Sequence, residues 1–161
     1  MQRKELTMNP DKESNHIPQS LYDQIANHMP IASVEAIIIR NKAMLFLKRN
    51  NPPAKGEWWF PGGRIRKEES PQQALRREVK EETGLDVTSC KLINVQSRVF
   101  PERHDIVAVY LCRCKKGNVK LDNEHSKYLF SKTAPKNLHP YMVETIKGYQ
   151  TATTQRAQRP R

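Results

Sequence analysis

Residues 63 to 85 read GRIRKEESPQQALRREVKEETGL. Ser70 is a side chain suited to cap a helix, Pro71 fits the first helical position, and Gly84 suits the residue just past the end. The stretch therefore predicts a helix over 71–83. On that helix Glu78 and Glu82 are i,i+4 neighbours and Glu78 and Glu81 are i,i+3, so the three carboxylates point the same way. Leu75 and Val79 form a second i,i+4 pair that can face a core. Like charges stacked this closely destabilise a bare helix. A divalent cation would relieve the repulsion, and oxygen-only ligands point to a hard ion, Mg²⁺ with Mn²⁺ as the alternative. The same glutamates would also suit a solvated face laced with ion pairs such as Arg77 with Glu81.

Outward from this helix the chain reads as alternating short elements. Residues 1–16 are polar and without apolar periodicity, and read as a disordered segment. Pro18 opens a short helix in which Leu21, Ile25 and Met29 fall four apart, and Pro30 ends it. Residues 31–40 and 42–48 are apolar, β-branched runs separated by Arg40-Asn41, a hairpin pattern. Residues 50–56, NNPPAKG, form a loop. Glu57 to Phe60 is a brief strand before a Pro61-Gly62-Gly63 turn. Strands follow at 90–100 and 105–114, paired across Pro101-Glu102-Arg103-His104, with a weak strand near 119–121 and another at 126–131. A closing helix spans 139–150 with Met142, Val143 and Ile146 on one side, and 151–161 reads as a disordered basic tail. A strand-rich chain with one long central helix and a carboxyl-terminal helix is an α+β or α/β arrangement, with one domain over 17–150 and no internal repeat.

The 161 residues suffice for a single core. No apolar run approaches the ~20 residues that span a bilayer, and no signal-peptide pattern opens the chain. Three cysteines, an odd number, argue against a disulfide scaffold and for a reducing compartment, so the expectation is cytoplasmic. Cys112 and Cys114, two apart on a strand, read as small packing residues. The net charge of +11 suggests polyanionic partners. No aromatic interleaving of a strand-binding surface accompanies it, so nucleic acid is set aside as a main partner. Lys48, Arg49, Arg64, Arg66 and Lys67 instead gather near the helix, as a small and highly anionic substrate would require.

The whole string from Gly63 to Leu85 resembles the Nudix box, G-x5-E-x7-R-E-U-x-E-E-x-G-U with U aliphatic, and every fixed position matches. With seven fixed types each near about 6% background, a chance match in a chain this long is below about 10⁻⁶. The resemblance to the Nudix hydrolases implies an α/β/α sandwich around a mixed central sheet, with the box as loop–helix–loop. It implies that Glu78, Glu81 and Glu82 bind metal or metal-bound water, that Glu78 can orient the attacking water, and that the Gly62 carbonyl completes the coordination. By the same resemblance Arg77 holds the glutamates in place and Glu69 anchors the loop. Purely structural roles remain the alternative for Glu69, Arg77 and Gly84.

Outside the box, LKRNNPPAKGEWWFPGGRIRKEES and DNEHSKYLF look like the GDP-mannose mannosyl hydrolase branch of that family. This second resemblance implies diphosphate binding or leaving-group stabilisation by Arg49, Arg64 and Arg77, a general base at His125, metal binding at Glu124, and a homodimer through the amino-terminal helix. Without it His125 reads as a surface-loop histidine. The branch lacks two of the box glutamates that this chain keeps, Glu78 and Glu81. The expectation is a Mg²⁺-dependent hydrolase of a nucleoside diphosphate sugar resembling GDP-mannose. The alternative is a pyrophosphohydrolase that attacks phosphorus in ADP-ribose or nucleoside triphosphates, and a third reading is a non-catalytic nucleotide-binding protein. Arg103 and His104 read as turn residues that lie exposed, with contact to the sugar the alternative, and Trp58, Trp59 and Phe60 as core packing with one ring available to a base pocket.

Overall fold

The computed structural model describes residues 17–52 and 54–157, with backbone alone from residue 151 onward. Its elements are α1 (Gln19–His28), β1 (Ile31–Arg40), β2 (Ala43–Arg49), β3 (Trp58–Trp59), β4 (Gly62–Arg64), α2 (Pro71–Thr83), β5 (Val87–Phe100), β6 (Arg103–Cys114), β7 (His125–Ser131) and α3 (Pro140–Ala157). The sheet runs β3-β2-β1-β6-β5, with β4 added to β1 and β7 to β2. β1 and β6 are parallel and the other pairings antiparallel. β1 is the hinge of the design. One of its edges pairs with β4 at Ser33, Val34 and Glu35, then with β2 at Ile39 and Arg40.

Both faces of β1 are covered, which explains its nearly unbroken apolar run. Val34, Ala36 and Ile38 point towards α2 and pack with Leu45, Leu47, Leu75, Val79 and Leu85. Ile37, on the opposite face, packs with Phe46, Phe60, Val107, Val109, Met142 and Ile146 beneath α3. Leu75 and Val79 are wholly buried, as their spacing predicts, and burial of each contributes about 1.5–3 kcal/mol. On the α3 face Glu35 is buried in an ion pair with Arg98, which also donates to Gln96 (2.6 Å) and Thr145 (2.9 Å). Desolvation, the largest influence, raises the Glu35 carboxyl, and Arg98 opposes it.

α2 has the predicted bounds. Ser70 accepts from the Gln73 amide and Gln73 reaches back to the Ser70 amide, a full capping box, while Gly84 closes the helix at φ 69°. Four sequence expectations are corrected. Gly62 does not sit in a turn. It begins β4, because Pro61 delivers the chain alongside β1, where the Ala36 amide donates to the Pro61 carbonyl at 2.8 Å. Residues 119–121 form no strand; Val119 and Leu121 pack against the α2 core from a loop. Arg103 and His104 lie in β6 and are half-buried, since the hairpin turns at Pro101 and Glu102. α3 continues to Ala157, because TATTQRA offers no glycine or proline to stop it. The expectations for 1–16 and for 158–161 lie outside the described residues. Among the described residues no helix is long and apolar enough to cross a membrane.

Candidate metal and hydrolase site

The carboxyl-terminal half of α2 meets β4 and the start of β7. Arg77 organises the first part. Its Nε and Nη2 donate to the two oxygens of Glu69 at 2.6 and 2.8 Å, Nη1 donates to Glu78 at 2.5 Å and Glu81 at 3.1 Å, and Nη2 also reaches the Arg64 carbonyl at 2.9 Å. The three glutamates are therefore held by different partners. A guanidinium lies between Glu78 and Glu81 and meets the repulsion for which the sequence suggested a cation. Glu81 is exposed and also faces Arg66 at 3.6 Å, whereas Glu82 is buried.

Glu82 turns inward. Its Oε2 accepts the Gly62 amide at 2.9 Å, and its Oε1 lies 3.9 Å from Nε2 of His125. Nδ1 of His125 is 2.8 Å from Asp122 Oδ1, which also accepts the Glu124 amide at 3.1 Å. The latter is an Asx turn, in which an aspartate bonds the backbone two residues on, and it fixes the loop that carries the histidine. Among the described residues, Glu82, Asp122 and His125 bring three ligand atoms within 4.8 Å of one another. Glu124 contributes its backbone there, the carbonyl accepting from Asn50 at 2.8 Å, and its side chain is exposed. Asp122 went unnoticed in the sequence reading; an aspartate three residues before a histidine is a weak signal without the turn.

A β-bulge brings His125 inward. β2 and β7 pair Leu47 with Tyr128 and Lys48 with Lys127, then Arg49 with His125. Strict alternation would put Ser126 opposite Arg49 and turn His125 to the other face. The extra residue shifts the register, so His125 joins Arg49 on the α2 side, only 7% exposed. Arg49 lies over the Trp59 ring at 5.8 Å, and Arg64 over the Tyr22 ring at 4.2 Å.

Gly63 is dictated by close approach, since a Cβ there would stand 2.5 Å from the Glu78 carboxyl carbon. The electrostatics follow from burial. Desolvation raises the Glu78 carboxyl, opposed by Arg77. Desolvation also raises Glu82 well above the ordinary range, the Gly62 amide opposes it, and Glu78 and Asp122 push it further up. Such a set of carboxylates fits a divalent cation, which would offset the charge that burial penalises. Glu82 would hold it, with Glu78 nearby, and Asp122 and His125 lie within ligand range of the same point.

Glu69 shifts the other way. Its hydrogen bonds with Arg77, the largest influence, take its carboxyl from 4.5 down to about 2. The folded value lies below the unfolded one, so the stability Glu69 confers is complete above about 4.5 and is lost as pH falls towards about 2. Glu69→Gln is expected to lower the melting temperature at neutral pH and to flatten its decline across that interval. Parallel curves for the two proteins would rule out Glu69 as a source of acid sensitivity.

A complete glutamate-bearing loop–helix–loop, packed on a mixed sheet beside a buried carboxylate–histidine group, is the architecture of a Nudix-type hydrolase domain. Residues 29–148 match the NUDIX domain, and the chain belongs to the Nudix hydrolase family. It is 29% identical over 140 residues to the low-salt glycan biosynthesis protein Agl8 of Haloferax volcanii, covering 82% of this chain and 90% of that one. It is 34% identical over 97 residues to an ADP-ribose pyrophosphatase of Methanocaldococcus jannaschii, covering 59% of this chain and 57% of that one. The fold is similar to that of a MutT Nudix hydrolase from Burkholderia pseudomallei, with TM-score 0.71, 24% identity, and 75% of this chain and 98% of that one covered.

Proposed function

We propose that the chain is a Mg²⁺-dependent hydrolase of a nucleoside diphosphate sugar, with GDP-mannose the first substrate to test and Mn²⁺ the alternative ion. The observation that carries this reading is the buried His125, held at 2.8 Å by Asp122 and facing Glu82 at 3.9 Å. An ionised carboxylate only accepts, so Asp122 takes the Nδ1–H and leaves the Nε2 lone pair directed at the box. A histidine oriented in this way suits a general base.

A divalent cation held there supplies neutralisation of the diphosphate and a more acidic bound water. The chain's own groups supply the rest. Glu82, anchored by the Gly62 amide, keeps its carboxylate in place, and Arg77 fixes Glu78 and Glu81. Arg49 and Arg64 offer guanidinium groups for the diphosphate oxygens. His125 would accept a proton from the water that attacks the sugar C1. Cleavage of the C1–O bond then gives free sugar and nucleoside diphosphate. The similarity to a protein named for glycan biosynthesis favours this substrate class, because glycan assembly draws on activated sugars.

A second reading is favoured by the intact set of Glu78, Glu81 and Glu82 and by the likeness to an ADP-ribose pyrophosphatase. In it water attacks phosphorus, as in hydrolysis of ADP-ribose or a nucleoside triphosphate. A panel of nucleotide sugars, ADP-ribose and triphosphates, hydrolysed with Mg²⁺ in ¹⁸O water, decides between them. Label in the released sugar is the expected result. Label in a phosphate product replaces this reading with attack on phosphorus, and no turnover on any nucleotide sugar removes it.

A further inference from the structure

α1 buries none of its residues, so the helix is not there to complete the core. Its Tyr22 ring instead carries the Arg64 guanidinium at 4.2 Å. Tyr22 and Ala26 form one wall of a cleft of about 700 Å³, and Pro52, Phe100, Glu102 and Arg103 form the others. Arg103 lies over the Phe100 ring at 5.0 Å, and its Nε donates to Asp105 Oδ2 at 3.0 Å. The other Asp105 oxygen is buried without a partner. Box residues take no part in lining this cleft.

Arg64 connects the two regions. Its carbonyl accepts from Arg77 at 2.9 Å, and it follows Gly63, which abuts Glu78. Its guanidinium lies over a ring that lines the cleft. We propose that the cleft binds the nucleoside half of the substrate, with the base against Tyr22 and Phe100, and that Tyr22 positions Arg64 for the diphosphate lying between cleft and box. The proposal rests on the reading that the substrate is a nucleoside diphosphate derivative. The volume suits a ligand of that size, aromatic rings provide a stacking platform for any base, and a guanidinium already held over a ring loses less freedom when it forks onto a phosphate.

The test uses the full chain with Mg²⁺, titrated with nucleoside 5′-monophosphates and separately with inorganic pyrophosphate. Ala26→Trp should fill the cleft and weaken monophosphate binding about tenfold or more, the loss of one stacked base, while pyrophosphate affinity stays within about twofold. Tyr22→Ala should weaken both, because Arg64 loses its support. Monophosphate affinity unchanged in both Ala26→Trp and Tyr22→Ala overturns the proposal. Equal weakening of both ligands by Ala26→Trp also overturns it, since the cleft would then not be specific to the nucleoside. If wild type binds monophosphates in an Ala26-sensitive way but hydrolyses no nucleotide sugar, the cleft assignment stands and the proposed activity falls.

Discussion

Glu82→Gln is expected to lower kcat about 10³-fold while the protein remains folded. Charge stabilisation by a bound metal is worth several kcal/mol, and a loss of about 4 kcal/mol corresponds to about 10³ in rate. Glutamine preserves the shape of the side chain, and its amide oxygen can still accept the Gly62 amide that Glu82 now accepts at 2.9 Å. Because burial pushes the Glu82 carboxyl well up, the buried negative charge opposes folding at neutral pH. The metal-free variant should therefore melt at or above the wild-type temperature. A ligand stabilises only the state that binds it, so the rise in melting temperature that Mg²⁺ or Mn²⁺ gives wild type should shrink in the variant. Activity within tenfold of wild type, or an unfolded variant, would sink the assignment of Glu82 to the metal.

The parts of this site that follow local rules were legible before any coordinates. Ser70, Pro71 and Gly84 bound α2 by capping chemistry alone, and Leu75 and Val79 report its buried face through a period of 3.6. The spacing of the box carries the family. What local pattern could not supply is how the glutamates divide. Three carboxylates on one helical face look equivalent, but Arg77 binds Glu78 and Glu81 while the Gly62 amide of β4 takes Glu82. That division depends on a strand pairing between residues 33–35 and 62–64, where Pro61-Gly62-Gly63 reads as a turn. His125 was named by the family resemblance, but local pattern left it on a surface loop. Only the one-residue bulge opposite Lys48 and Arg49 brings it to the α2 side. Asp122 depends on that same loop. The fold was thus readable from helix caps and apolar runs, whereas the site arises from register, which is a relation between strands distant in sequence.

His125→Ala is expected to lower kcat by about 10²–10⁴, the range over which a positioned general base acts. Asp122→Asn should cost about 10–100-fold, because it disturbs the orientation and tautomer of the ring without removing it. Since His125 lies beside Glu82 and Asp122 within ligand range, loss of rate alone would not separate a base from a metal ligand. Mn²⁺ binding measured by electron paramagnetic resonance makes that separation. A general base predicts that His125→Ala binds Mn²⁺ almost as wild type does while turnover collapses. If Mn²⁺ affinity falls in step with kcat, His125 belongs to the metal, and attack on phosphorus through the full set of glutamates becomes the better account. If kcat barely changes, neither role holds, and the burial that the β7 bulge gives His125 serves only packing between α2 and the sheet. A base also predicts that Asp122→Asn and His125→Ala combined cost no more than His125→Ala alone, because Asp122 acts through the ring it orients. Additive losses in that double variant would show that Asp122 acts directly, as a carboxylate ligand 2.8 Å from the histidine it was thought only to hold.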